Sequence, residues 1–171
     1  MNAYRTVHTP AGLAMMAAAQ ASGVPINLVD MAVGDGNGNP VYPEDLTTGL
    51  VRERYRAVIN SATQTPNQPS RWTVELIIPA DVGGFVMREL AVFDSNGTMF
   101  AVCNLPDAQK PSVGDGAFSD TVLRMEFLVT NAEDVTFLID PAAIVATRTW
   151  ILNNLTSAQL LPGGTTGQVL K

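Results

Sequence analysis

The side chains that could do chemistry in this 171-residue chain are few. His8 is its single histidine and Cys103 its single cysteine. Nucleophilic catalysis needs a base held against a serine or cysteine and steered by a third group. His8 stands near the N-terminus, and no nucleophile-elbow signature occurs elsewhere. Zinc takes about four nitrogen or sulfur ligands, which one histidine and one cysteine do not supply. Cys103 sits in the apolar run Phe100-Ala101-Val102-Cys103 and reads as a buried small hydrophobe. A lone cysteine forms no internal disulfide, as suits a reducing compartment.

Asp35, Asn37 and Asn39 alternate like the opening of a calcium loop. Pro40 stands where that loop needs glycine and Leu46 where it needs its bidentate glutamate, so residues 34–40 read as a turn. Gly163-Gly164-Thr165-Thr166-Gly167 lacks the lysine of a phosphate loop. Carboxylates suited to paired acid–base work are plentiful: Asp81, Glu89, Asp94, Asp115, Asp120, Glu126, Glu133 and Asp134. None accompanies an aromatic sugar-binding cluster, for there are only two tryptophans and three tyrosines. No catalytic, cofactor-binding or metal site is expected. Arg88-Glu89 stands out differently, as a charged pair inside the apolar strand pattern Phe85 to Phe93. Adjacent strand residues face opposite sides, so one of the two points inward unless both faces are covered. A paired interior charge and a contact with a neighbouring subunit are the two readings.

The net charge is -6 and only two lysines occur, Lys110 and Lys171. That leaves no basic footprint for nucleic acid and disfavours anionic membranes. The apolar run Leu13–Ala19 is too short to span a bilayer, which takes about 20 residues, and it lacks a signal-like basic start. Charged residues make up 15%, against about 25% in ordinary soluble domains, a hint that neighbours cover part of the surface.

The elements that must position these residues follow from pattern. Thr9-Pro10 opens a helix over Ala11–Ser22 that Gly23 closes, with Leu13, Met16 and Ala17 as its apolar stripe and Met15 and Met16 as core filling. Strands are expected at Ile26–Val33, from Tyr55 to Asn60, Trp72–Ile78, Phe85–Phe93, Thr98–Asn104, Thr121–Thr130 and Val135–Ile139. Asp94-Ser95-Asn96-Gly97 joins two of them as a hairpin. Tyr42–Thr48, Thr63–Ser70 and Pro106–Ala117 read as loops. Asp140-Pro141 repeats the cap-and-proline signal before a helix from Ala142 to about Asn154, and periodicity then gives way to Pro162, Gly163, Gly164 and Gly167. The expected fold is α+β: a mainly antiparallel sheet with an N-terminal helix, and a C-terminal helix leading into an extended segment.

Four stretches resemble the N-terminal domain of phage tail-collar fibre proteins. They are Leu28–Gly38, ending in Gly-Asp-Gly-Asn-Gly; Tyr55-Arg56-Ala57-Val58-Ile59-Asn60; Ile78–Asp94, with its Val-Gly-Gly-Phe…Arg-Glu; and Asn104-Leu105-Pro106 with Lys110-Pro111. The likeness spans about residues 4–150, and Leu161–Leu170 is similar to a recurring fibre-shaft segment. Asp107-Ala108-Gln109 departs from the family's usual Glu and Tyr. The resemblance implies a structural virion protein at the proximal end of a tail fibre, assembled in the host cytoplasm and carried on the virion tail. It implies a homotrimer fastened to tail baseplate proteins, with a distal fibre or chaperone as further partners. Residues 1–141 would form the attachment domain, 142–158 a connecting and trimerising helix, and 159–171 the start of a shaft, in a fragment or a short family member. Expected interface residues are Phe85, Arg88 and Glu89, then Ile144, Arg148, Ile151 and Leu155, whose spacings of four, three and four give a seven-residue period, and Leu161 and Val169 beyond. The rival expectation is a carbohydrate-binding adhesin, for which Trp72 and Tyr42 are the aromatic candidates. A polysaccharide hydrolase, needing a paired-carboxylate cleft, is the third.

Overall fold

The structure, a computed structural model, describes residues 4–116 and 119–140. In chain order the elements are β1 (Thr6–His8), α1 (Pro10–Ser22), β2 (Ile26–Gly34), β3 (Glu53–Val58), β4 (Ser61–Thr65), β5 (Gln68–Ile78), β6 (Phe85–Asp94), β7 (Met99–Lys110), β8 (Thr121–Leu128) and β9 (Val135–Phe137). The larger sheet runs β1-β7-β6-β2-β3, with β9 lying parallel to the start of β2; the smaller runs β4-β5-β8. Every other pairing is antiparallel.

This corrects the expected fold class. The described chain is mainly antiparallel β with a single α-helix, not an α+β domain with a helix at each end. Its core lies between sheets: Leu28, Met31, Val33, Leu90, Val92 and Phe100 of the larger meet Val74, Leu76, Ile78, Met125 and Phe127 of the smaller. The helix expected from Ala142 lies outside the described residues. The other face of the larger sheet is buried too, where Leu46 and Leu50 cover Ala32, Ala91, Phe93, Met99 and Val102. A sheet covered on both faces needs unbroken apolar strands, which is why β6 reads as a run and not an alternation.

Two expected loops are strands. Residues 63–70 form the β4–β5 hairpin, turning at Pro66-Asn67 with Asn67 at φ 63°. Proline presets one turn position and asparagine tolerates the next. Pro69 falls where the register slips between Gln64 and Thr65, so its missing N–H costs the ladder nothing. Likewise β7 runs on through Pro106 to Lys110, because a bulge opposite Met87–Glu89 absorbs the proline.

The α1 boundaries agree with the sequence. Thr9 Oγ1 accepts from Gly12 N at 2.9 Å and donates to Met99 O at 2.5 Å, while Gly23, at φ 69°, returns its N–H to Ala19 O at 2.8 Å. The buried stripe is displaced from expectation. Gly12, Met16 and Ala19 face inward, and Leu13 is 54% exposed. The reason is close approach: a Cβ at Gly12 would stand 2.0 Å from the Phe100 carbonyl oxygen, so glycine sets the helix face that meets β7. Gly12→Ala is therefore expected to destabilise the domain by about 1–3 kcal/mol, read as a lower urea midpoint with unchanged m-value.

Candidate functional site

The sequence features with the least ordinary explanation meet at one end of the larger sheet. Strand β6 delivers Arg88 and Glu89 beside the turn that follows β2. Glu89 is fully buried, and its carboxylate accepts from three backbone groups: Gly36 N at 3.1 Å and Arg52 N at 3.0 Å on Oε1, and Val51 N at 2.8 Å on Oε2. A Cβ on Gly34 would come within 2.3 Å of Oε1, so glycine is what lets the carboxylate enter. Gly36 (φ 61°), Asn37 (φ 51°) and Gly38 (φ 84°) then coil the turn through the left-handed region. The interior charge is thus answered by main-chain donors and not by Arg88.

Arg88 clasps the same turn from its own side. Its Nη1 donates to Asp35 O at 3.1 Å, and its Nε and Nη2 hold Asp107 at 3.1 and 2.8 Å. Asp107 is placed for this pairing by the β7 bulge. Asp35 is 3% exposed and accepts from Arg52 Nε at 2.7 Å and Nη2 at 2.5 Å, with Arg54 Nη1 at 3.4 Å. The Arg52 bonds hold the Asp35 carboxyl below the usual carboxylate range, against the opposing effect of burial. The Arg54 guanidinium lies 5.2 Å from the centroid of the Phe85 ring, and that of Arg56 3.8 Å from Phe93. The result is a rim of guanidinium groups standing on buried carboxylates and rings.

Of the expected interface residues, Phe85 and Glu89 are buried and Arg88 keeps 15% of its side chain exposed. All three lie under or within this rim. Ile144, Arg148, Ile151, Leu155, Leu161 and Val169 lie outside the described residues. Sequence reasoning gave Arg52 and Arg54 no role and read Asp35 only as part of a turn. Arginines at every second position, 52, 54 and 56, just before and within β3, were the available signal.

The remaining candidates lie elsewhere in the fold. His8 Nε2 donates to Leu128 O at 2.7 Å, and its ring meets Phe100 edge-on at 4.9 Å, so it stitches β1 to β8. Cys103 is buried, and desolvation pushes its thiol up to about 12. Trp72 packs on Phe137 at 4.7 Å, while Tyr42 stands 54% exposed. The cleft beside His8, about 420 Å³, offers one carboxylate, Glu126, already paired with Arg71 at 2.9 Å. Among the described residues no three His, Cys, Asp or Glu side chains gather to hold a metal ion.

Glu89→Gln is expected to cost at least about 1–3 kcal/mol in chemical denaturation, since an amide leaves a buried N–H unanswered. Burial lowers the His8 pKa, with the Leu128 and Phe100 carbonyls pulling the other way. The folded state therefore favours neutral imidazole. Its contribution is complete above the free value of about 6.5 and is lost as pH falls from there toward the folded pKa. A urea midpoint that drops between about pH 7 and 5, and drops less in His8→Gln, is the expected outcome.

Residues 1–149 match the family model described as phage tail-collar fibre protein, N-terminal. The chain is 38% identical over 149 residues to the "Probable tail fiber protein" of Escherichia phage P2, covering 86% of this chain and 22% of that protein. No solved structure matches. The chain therefore belongs to the phage tail-collar fibre proteins as their N-terminal region.

Proposed function

We propose that this domain is the proximal anchor of a tail fibre: it fastens the fibre to the tail baseplate and so supports attachment to the host. Family membership gives the coarser role, a structural component of the phage tail. The observation behind the finer one is the clasp. Glu89, Arg88 and Asp35 hold a turn and an arginine rim in place through hydrogen bonds. A preorganised, charged rim suits docking against another protein, because its geometry is fixed before contact. The chain spans 22% of the phage P2 relative's length, so receptor recognition is assigned to portions of such fibres outside it.

Self-association into a homotrimer is part of the same reading, with assembly in the host cytoplasm. A distal fibre segment or a chaperone would be the further partner. Light scattering of the isolated chain should return three times its 18.2 kDa mass; a stable monomer would remove the trimer from the proposal. The docking role predicts that the chain co-sediments with tails assembled without their fibre protein and competes with the intact fibre for them. Absence of both effects would overturn it. Binding of the isolated chain to a glycan array would instead favour an adhesin.

A further inference from the structure

Within that docking face one side chain is singled out by its pairing. We propose that Arg54 recognises a carboxylate on the surface of the protein to which this domain docks, an assignment that rests on the docking reading above. Seven arginines occur among the described residues, and six hold a carboxylate of their own, from Arg5 with Glu44 to Arg124 with Glu75. Arg54 is the exception. Its Nη1 stands 3.4 Å from Asp35 Oδ2, and the Asp35 oxygens already accept shorter bonds, 2.7 and 2.5 Å, from Arg52.

Position reinforces the argument. The side chain of Asp35 is 4% exposed, while those of Arg52 and Arg54 are 48% and 35% exposed, so the cations face outward and the shared anion sits beneath them. Phe85 lies under the Arg54 guanidinium. An aromatic platform fixes the guanidinium plane and leaves its in-plane N–H groups available for a bidentate acceptor. A protein carboxylate fits that geometry. A polyanion such as nucleic acid fits poorly, because the chain carries a net charge of -6 and would repel an extended row of phosphates. A discrete Asp or Glu on a folded partner meets only the rim.

The test uses the 171-residue chain and purified tails lacking their fibre protein. Arg54→Gln should weaken binding at least about tenfold, Arg54→Lys by less, and Arg124→Gln, at an arginine that has its own carboxylate, not measurably. Binding by the wild-type chain should also weaken as sodium chloride rises from about 50 to 300 mM, and the Arg54→Gln chain should lose part of that dependence. Wild-type affinity in an Arg54→Gln chain that melts normally would overturn the assignment and leave the docking reading standing. Failure of the wild-type chain to bind tails would overturn the docking reading and this assignment with it. Should Arg54→Gln lower the melting temperature, Arg54→Lys and the wild-type salt dependence decide: salt-insensitive binding rejects the assignment.

Discussion

The geometry of this domain's working end depends on one buried carboxylate. Glu89 is carried by a central strand into the interior, where three backbone N–H groups from two separate segments converge on it. A buried charge without such partners would cost several kcal/mol, by the general rule for desolvated ions, of about 3–5 when a partner is removed. With them it becomes a staple. The turn after β2 and the chain entering β3 are both fixed to β6 through this one carboxylate, Gly36 N and Arg52 N on Oε1 and Val51 N on Oε2. Arg88, next along the strand, secures the outer side of the turn through Asp35 O. The two residues that looked paired with one another are paired with the same loop instead.

This arrangement explains why widely separated segments of the chain meet at one place. Gly34 must lack a side chain because Glu89 occupies the space. Gly83 must lack one because a Cβ would stand 1.9 Å from the Pro111 carbonyl oxygen, and Gly84, at φ 81°, bonds Lys110 O through its N–H at 2.8 Å. Asn60 is buried at the corner between β3 and β4, where its Oδ1 accepts from Ile77 N at 2.7 Å. Asp94 closes the β6–β7 hairpin by accepting from Asn96 N and Thr98 N at 2.9 and 2.7 Å. Each of these positions answers a backbone requirement, and none requires a reaction.

Much of this was legible in the chain. The limits of α1 followed from Thr9, Pro10 and Gly23, and five long strands from β-branched and aromatic runs, because those signals are local. What escaped reading was set by tertiary contact. The short β1 exists through pairing with β7, and β4 through pairing with β5. Prolines at 66, 69 and 106 argued for loops, since a bulge that accommodates proline is invisible without its partner strand. The helix buries Gly12 in place of Leu13 because backbone approach at Gly12 outweighed side-chain apolarity at Leu13. At the candidate site, Arg88 and Glu89 were conspicuous as charges in an apolar run. Arg54 was not, because its distinction lies in which neighbours are already engaged.

The parallel strand β9 carries a mechanical implication. It lies along β2 from Ile26 to Leu28, and the chain then bonds Ile59 O through Asp140 N at 2.9 Å, at the corner where the two sheets exchange one continuous backbone. Tension applied beyond Asp140 along the axis of β9 would load the β9–β2 bonds together, in shear, and not peel them one by one. Through the corner at Ile59 and Asn60 that load would divide between both sheets, so a tug at this end would be borne by the whole sandwich.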